Sequence, residues 1–290
     1  MSEIIYLNGH LVPHSEARLS PFDHGFLYGY GLFETMRAYS GHIFHLDHHL
    51  NRLRRSAESL GLADKIADID LGTACLETLR ANELKDARLR LTISAGEGDM
   101  TPDPSTCSTP TVLVTAKTFV PLSPKRYEQG FKAVLSSLHR DSQSPLSRLK
   151  STCYLNNILA RMEAKTAGCN EAIMLNERGY LAEGSISNIF LVSKRILITP
   201  SLKSGVLPGI TREAVLEIAR AWNITTAERQ VELKELTEAE EAFVTNSVLE
   251  LMPLTWFAGK AIGLGKSGQL TKKLMAAYKE LINETIGGMA

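Results

Sequence analysis

Short strand-like runs joined by tight turns are the feature of this sequence that most constrains its fold. Asn8-Gly9 separates the runs 4–7 and 11–12, and Ser40-Gly41 separates the runs 32–39 and 42–46. Both dipeptides suit the two-residue turns of β-hairpins. Hairpins build antiparallel sheets, and the chain lacks the regular strand–helix alternation that gives a parallel sheet. The pattern therefore predicts an α+β fold with largely antiparallel sheets.

Apolar residues at helical spacing predict the helices. Between Leu46 and Leu60 they recur every three or four residues, with Asp47 expected as the N-cap and Gly61 as the stop. By the same reasoning we expect further helices near 70–82, 155–168, 212–222 and 270–286, and strands near 87–95, 111–119, 131–138, 172–175, 180–182, 188–192, 196–199 and 241–245.

The segment from Val120 to Tyr127 predicts a boundary between two domains. It contains two prolines and no apolar periodicity, which is typical of a connecting segment. The 290 residues are enough for two ordinary domains, each with its own core. We therefore expect an N-terminal α+β domain at 1–120, a linker at 121–128 and a C-terminal domain at 129–290.

Charge, hydropathy and cysteine usage exclude several classes of partner. The 32 basic and 32 acidic residues give a net charge of zero, so neither nucleic acid nor an anionic membrane is expected as a partner. No apolar run approaches membrane-spanning length, and the N-terminus lacks the pattern of a secretory signal. Four scattered cysteines fit reduced thiols in a cytoplasmic protein. No metal site is expected, because the histidines clustered between His42 and His49 lack the carboxylate pattern of a metal motif.

Lys150 and Glu183 give the first indication of the chemistry. A lysine amine captures a carbonyl only when its charge is suppressed by burial or by its neighbours. We expect Arg148 on the same strand face as Lys150, and a neighbouring cation favours the neutral amine. A glutamate that faces a protonated ring nitrogen would complete an electron sink, which suggests pyridoxal phosphate (PLP). A solvated surface lysine and a turn glutamate are the alternative interpretation.

Several other segments are suited to binding anions. The run 208–212, Pro-Gly-Ile-Thr-Arg, opens a helix, whose first amides are unpaired and whose dipole favours an anion. The run 244–247, Val-Thr-Asn-Ser, ends a strand with three short hydrogen-bonding side chains. Arg52 would add a bidentate phosphate contact, and Arg88 and Arg90, alternating on one strand face, suit substrate carboxylates. An ordinary helix start, a plain turn and solvated arginines are the alternatives.

Several segments together resemble one family over nearly the whole chain, the class IV (fold type IV) PLP-dependent aminotransferases. The family includes branched-chain transaminases, D-amino acid transaminases and aminodeoxychorismate lyases. Each segment is modest alone, but their order and spacing are highly specific. The matching segments are Phe33-Glu34-Thr35-Met36-Arg37, Asp47 to Leu53, Leu149-Lys150-Ser151, Glu183 to Phe190, Gly205 to Arg212 and Thr245-Asn246-Ser247.

The resemblance implies a fold, a cofactor and a set of site residues. The fold would be that of the D-amino acid aminotransferases, with a small N-terminal α/β domain and a larger domain built on an antiparallel sheet or barrel. PLP would be attached to Lys150, with Glu183 at its ring nitrogen, and the enzyme would be a homodimer. The other implied cofactor contacts are Arg52, Tyr154, Leu207, Ile210, Thr211 and Ser247.

Within the family, the chain most resembles the bacterial aminodeoxychorismate lyases, notably in the runs 20–29, 148–157 and 245–250. These enzymes convert 4-amino-4-deoxychorismate to 4-aminobenzoate and pyruvate in folate biosynthesis. Lys150 would be the catalytic base, Lys150 or Thr35 the general acid, and Arg88, Arg90 or Arg148 the partners of the substrate carboxylates. The alternatives are a branched-chain or D-amino acid aminotransferase and a PLP-binding homologue without catalytic activity.

Overall fold

Both predicted hairpins are present in the computed structural model, which describes residues 3–287 of the chain. Asn8 and Gly9 have φ angles of 48° and 93°, and Ser40 and Gly41 have φ angles of 49° and 86°. Both central residues of each turn are thus left-handed, as a type I′ turn requires. The prediction of an α+β fold is confirmed by the order of strands and helices.

The chain divides into two units whose limits differ from the predicted ones. The first unit covers the chain to Val120 together with Leu149–Cys153, and the second covers Pro121–Arg148 and Tyr154–Thr285. The expected linker at 121–128 instead enters a helix of the second unit, Pro124–Gln129. Proline is well tolerated at the first position of a helix, where its missing N–H would have no intrahelical acceptor, so Pro124 suits this helix start, while Pro121 is the first residue of the second unit.

Short strands and helices are interspersed along the first unit. In chain order they are β1 (Ile4–Leu7), β2 (His10–Pro13), α1 (His24–Tyr28), β3 (Gly31–Tyr39), β4 (His42–Ile43), α2 (Leu46–Ser59), α3 (Ala63–Ile66), α4 (Leu71–Ala81), β5 (Ala87–Ser94) and β6 (Thr111–Thr118).

The strands of the first unit form one antiparallel sheet, in the order β2-β1-β6-β5-β3-β4. Helices α2 and α4 pack against it. Along β5, the buried Leu89 and Leu91 alternate with Arg88 and Arg90, which are more exposed. One face of the sheet is therefore apolar core, and the other carries charged side chains.

Helix α2 begins two residues earlier than an N-cap at Asp47 predicts, so Asp47 is not its N-cap. The residue at the N-cap is His45, whose φ of 52° turns the chain from β4 directly into the helix. The left-handed turn also explains why β4 is only two residues long, against the predicted run 42–46. Asp47 lies in the first helical turn, where the helix dipole favours a carboxylate.

The second unit contains the remaining elements, except for the last residues of the final helix, α9. They are α5 (Pro124–Gln129), β7 (Phe131–Arg140), α6 (Leu155–Thr166), β8 (Glu171–Asn176), β9 (Leu181–Gly184), β10 (Asn188–Ser193), β11 (Ile196–Pro200), α7 (Ile210–Ala221), β12 (Thr226–Arg229), α8 (Leu233–Glu238), β13 (Glu241–Asn246), β14 (Glu250–Phe257), β15 (Lys260–Ala261) and α9 (Gln269–Gly287). No helix formed by residues 3–287 has the length and hydropathy needed to cross a membrane.

The sheet of the second unit is more mixed than the predicted antiparallel one. Its order is β12-β11-β10-β13-β14-β7-β8-β9, with β15 beside β14. The pairs β7–β8, β7–β14 and β11–β12 are parallel. The first and last of these arise because α6 and α7 each connect two strands by a crossover, which makes the strands parallel. The sheet is curled, since β9 at one end also lies close to β10 and β11.

Helix α6 turns its apolar stripe outward. Its buried residues are Asn157, Ala160 and Ala164. The large apolar side chains of the same helix are exposed, namely Leu155, Ile158, Leu159 and Met162. A contiguous exposed apolar stripe is typical of an interaction surface.

Candidate active site

Lys150 lies beside the first residues of β3 in the first unit. Its carbonyl accepts a hydrogen bond from the Phe33 amide at 2.8 Å. Its Nζ lies 4.6 Å from the centre of the Phe33 ring, and the guanidinium carbon of Arg90 lies 3.8 Å from the same centre. Thr35, two residues along β3, is the cross-strand partner of Arg90. The structure thus brings Lys150 and Arg90 together around one aromatic side chain, and Thr35 lies opposite Arg90 on the neighbouring strand.

The prediction that Arg148 shares a strand face with Lys150 is wrong. Arg148 is exposed and ends a 3-10 turn, and its Nη2 lies 3.5 Å from the Ser142 carbonyl oxygen. The turn follows from Asp141, whose side chain accepts hydrogen bonds from the amides at 143 and 144 at 2.9 and 3.2 Å. Such local bonds from side chain to backbone compete with an extended strand.

Glu34 is a charged residue on the apolar face of β3, fully buried against α2. Its Oε1 accepts a hydrogen bond from Arg52 Nε at 2.8 Å, and its Oε2 accepts one from Arg52 Nη2 at 2.5 Å. His49 Nδ1 lies 2.7 Å from the same Oε2. Burial by itself raises the pKa of Glu34, but Arg52 and His49 outweigh burial and hold this pKa at about 2.

His49 is the neutral member of this buried cluster. Burial lowers its pKa by more than the attraction of Glu34 raises it, and Arg52 and Lys150 lower it further. A neutral imidazole donates from one ring nitrogen only, so the contact with Glu34 assigns the proton to Nδ1. Glu34 therefore holds Arg52 by two parallel hydrogen bonds, which fixes the plane of the guanidinium.

Glu183 is a buried acidic residue of the second unit, on β9. Its Oε1 lies 3.0 Å from Arg140 Nη2. Its Oε2 accepts hydrogen bonds from the Leu207 amide at 2.9 Å and from Asn188 Nδ2 at 3.2 Å. Three donors from three separate segments therefore converge on one carboxylate, which is the arrangement that stabilises its ionised form.

Helix α7 begins directly after Leu207 and Pro208. A Cβ added to Gly209 would lie 1.9 Å from Asn188 Oδ1, so only glycine allows the backbone this close approach. Ile210 and Thr211 form the first turn, where backbone amides have no intrahelical acceptor and the dipole favours an anion. A helix does begin where the sequence analysis predicts an anion-binding helix start. This helix start lies close to Glu183, since the Leu207 amide donates to the Glu183 carboxylate.

The turn after β13 lies next to this helix start, because β13 pairs with β10 so that Thr245 opposes Asn188. Asn246 braces the turn: its Oδ1 accepts hydrogen bonds from the amides at 248 and 249 at 2.9 and 2.7 Å. Ser247 follows directly. Within residues 3–287, the Thr245 hydroxyl oxygen is buried without a hydrogen-bond partner. Burying a hydroxyl without a hydrogen-bond partner costs free energy, and a bound anion would accept a hydrogen bond from this hydroxyl.

A second buried carboxylate, Glu171, shapes the loop that follows Glu183. It accepts hydrogen bonds from the Ser185 amide at 3.0 Å and from the Ser187 hydroxyl at 2.8 Å. The Ser185 carbonyl in turn accepts one from the side chain at 157 on α6, at 2.7 Å. Tyr154 is the N-cap residue of α6, so the loop after Glu183 and the start of α6 are held together.

Glu34, His49, Arg140 and Asn188 are not identified by the sequence analysis. For Glu34 a signal exists: its neighbours on the same strand face are apolar, and a carboxylate placed among them needs a buried partner. His49 shares a helical face with Arg52, three residues later. Arg140 carries no comparable signal, because Glu183 lies far away along the chain, and nothing in the sequence around Asn188 marks its contact with Glu183 five residues earlier.

Comparison with known proteins identifies the family. The family model of amino-transferase class IV matches residues 31–256. The chain belongs to this family. Over 292 residues it is 39% identical to the aminodeoxychorismate lyase of Bacillus subtilis, covering 99% of this chain and 98% of that protein. Over 278 residues it is 38% identical to a Methanocaldococcus jannaschii protein assigned as a branched-chain-amino-acid aminotransferase, covering 96% of each.

The fold agrees with this assignment. The crystal structure of the Escherichia coli branched-chain amino acid aminotransferase matches with a TM-score of 0.90 and 30% identity, covering 97% of this chain and 95% of that chain. The predictions of the class IV family and of its fold are therefore confirmed.

Class IV enzymes use pyridoxal phosphate, and the predicted cofactor is thereby confirmed. The residues present fit this group. Glu183 is held as a hydrogen-bond acceptor suited to a protonated ring nitrogen. The start of α7 and the buried, unsatisfied hydroxyl of Thr245 suit an anionic phosphate.

Proposed function

We propose that this PLP enzyme is an aminodeoxychorismate lyase, which converts 4-amino-4-deoxychorismate to 4-aminobenzoate and pyruvate for folate biosynthesis. The turn after β13 is the observation that carries the proposal. Asn246 makes two bonds within this turn and donates a third, at 3.1 Å, to the Ile186 carbonyl. Branched-chain transaminases usually carry Thr-Gly-Thr-Ala in this turn, and a glycine makes none of these bonds. The Bacillus subtilis lyase supports the same activity.

We propose that Lys150 carries the cofactor covalently and that Glu183 contacts its ring nitrogen. Leu207 would pack against the ring, and Tyr154 would contact it from the start of α6. The cofactor supplies an electron sink for the negative charge that develops on the substrate. The proposed phosphate contacts are Arg52, Ile210, Thr211 and Ser247.

Lys150 and Thr35 are the residues that transfer protons in the proposed reaction. The Lys150 amine takes the proton from the ring carbon that bears the substrate nitrogen. The Thr35 hydroxyl, or Lys150 itself, protonates the departing enolpyruvyl group, which leaves as pyruvate. The remaining ring becomes aromatic, and this gain makes the reaction effectively one-way.

The two substrate carboxylates need cationic partners. We propose Arg90 first as a carboxylate partner, because it is half-buried and contacts the same Phe33 ring as Lys150. Arg88 and Arg148, both exposed, are the remaining candidates. A planar guanidinium binds a carboxylate through two parallel hydrogen bonds, which also fixes the orientation of the substrate.

A branched-chain or D-amino acid aminotransferase is the second candidate. The Methanocaldococcus jannaschii relative and the Escherichia coli structure favour the branched-chain form. Purified enzyme given 4-amino-4-deoxychorismate without any 2-oxo acid distinguishes the two activities. Sustained release of 4-aminobenzoate supports the lyase, whereas a transaminase stops after half a turnover, with its cofactor left as pyridoxamine phosphate. PLP binding without turnover of any amine would instead indicate a non-catalytic homologue.

We also propose that two copies of the chain associate through the exposed apolar stripe of α6. Burying this stripe against a second copy would remove large apolar side chains from water. Sedimentation of Ile158→Glu tests this, with Lys279→Glu, an exposed position on helix α9, as the control. The expected result is a dimer for wild type and control and a monomer for Ile158→Glu, and an unaffected dimer in all three would contradict the proposal.

A further inference from the structure

We infer that Arg140 is a positioning residue that keeps the proton of the Glu183–cofactor hydrogen bond on the ring nitrogen. Arg140 would act on the cofactor only through the Glu183 carboxylate. The inference therefore rests on the proposed role of Glu183, and it adds a residue outside the predicted site to the machinery that sustains the electron sink.

The position of the Arg140 guanidinium is fixed by three segments of the second unit. Its Nη2 lies 3.0 Å from Glu183 Oε1 and donates to the Ser147 carbonyl at 2.5 Å. Its Nε donates to the Gly205 carbonyl at 3.2 Å. The side chains of Arg140 and Glu183 are 14% and 7% exposed, so solvent screens their attraction only weakly.

The surroundings of Glu183 disfavour its protonated form. A protonated carboxyl must donate a hydrogen bond, but the Arg140, Leu207 and Asn188 groups around it are all donors. Arginine has no acceptor at all, and it stays protonated at every pH at which a protein is folded. The three donors stabilise the ionised carboxylate and so favour the proton on the ring nitrogen, and Arg140 is the charged group among them.

Arg140 also lies at the edge of an open cavity of about 440 Å³. This cavity is lined by Arg140 with His139, Asp141, Gln143 and Glu177. Glu177 is already engaged by the Ser142 amide and hydroxyl, at 2.8 and 2.7 Å. Arg140 lines this cavity and also contacts Glu183, so its guanidinium places a positive charge beside the carboxylate at the edge of the cavity.

The test is the ¹⁵N resonance of PLP labelled at its ring nitrogen, measured in the holoenzyme. We expect the wild-type resonance at the protonated position from about pH 6 to about pH 9, since arginine side chains remain charged in proteins over this range. In Arg140→Gln the resonance should move to the unprotonated position, and in Arg140→Lys it should return. If Arg140 had a merely structural role, both variants should shift the resonance equally. Lysine, like glutamine, lacks the guanidinium that donates to the Gly205 and Ser147 carbonyls.

Each outcome separates this inference from the proposed site. A shift in Glu183→Gln without a shift in Arg140→Gln would leave the site intact and overturn the role of Arg140. An unchanged resonance in Glu183→Gln would overturn both. If Arg140→Gln does not fold, the wild-type pH series still decides, because loss of the ring proton between about pH 6 and about pH 9 contradicts the inference.

Discussion

Replacing Glu34 by glutamine tests the buried charge cluster of the first unit. Glu34→Gln keeps the shape of the side chain but removes the negative charge that Arg52 and His49 contact. Arg52 is only 5% exposed, so its charge would stay buried without a carboxylate partner. Removing one partner of a buried ion pair costs roughly 3–5 kcal/mol.

The pKa of Glu34 gives an independent magnitude. The fold holds this pKa at about 2, because Arg52 and His49 outweigh burial, against an ordinary value of 4.5. Each tenfold change in proton affinity corresponds to about 1.4 kcal/mol, so the ionised carboxylate stabilises the fold by about 3 kcal/mol near neutral pH. Because the pKa is lower in the folded state, this contribution is present above about pH 4.5 and is lost as the pH falls towards 2.

Urea unfolding of the apoprotein, followed by circular dichroism at pH 7, measures this loss. The matched control is Glu3→Gln, since Glu3 makes a 3.6 Å ion pair with Lys117, a side chain that is 75% exposed. An exposed pair of this kind contributes about 0–1 kcal/mol. We expect Glu34→Gln to lose about 3 kcal/mol or more and Glu3→Gln less than about 1 kcal/mol. Equal losses in the two variants would refute the reasoning.

Three further predictions concern the same site. Lys150→Ala should gain no visible absorption band with PLP and lose nearly all turnover, and a borohydride-stable adduct in that variant would contradict the covalent role. Arg52→Ala should bind PLP more weakly by roughly 1.5–3 kcal/mol, measured by equilibrium dialysis, and unchanged affinity would rule out a phosphate contact. In the wild type, burial lowers the pKa of His49, so stability should fall below about pH 6.5 as the unfolded chain takes up a proton. His49→Gln should show a smaller fall in melting temperature between about pH 7 and about pH 5, and an identical fall would show that His49 is not the group responsible.

Local signals account for the parts of the fold that the sequence predicts well. The turns at Asn8-Gly9 and Ser40-Gly41 need left-handed backbone, which few residues adopt, so the sequence marks them clearly. The parallel pairs of the second sheet were missed, because their partners lie on opposite sides of a helix in the chain. Strands β12, β14 and β15 and helix α8 were also missed, since none has a strong apolar period.

The residues of the candidate site also differ in how much signal the sequence carries for them. Lys150 and Glu183 are proposed from the sequence because each carries a chemical function that its neighbours in sequence support, and their roles stay predictions. Arg140 could not be proposed from the sequence, since it is an arginine at the end of a strand, and its role depends on a carboxylate more than 40 residues later. The expected pairing of Arg148 with Lys150 failed because turn-forming bonds at Asp141 prevented a continuous strand.

Buried carboxylates connect the fold to its chemistry. Glu34 on β3, Glu171 on β8 and Glu183 on β9 are all at most 5% exposed. Burying a charge is costly unless several donors surround it, and in this protein the donors come from other strands, helices and loops than the one that carries the carboxylate. Each carboxylate can therefore be ionised at low cost only after the surrounding elements have packed. The fold and the arrangement of charges that the chemistry needs thus form together, so a substitution that removes one of these charges should affect folding stability as well as cofactor binding.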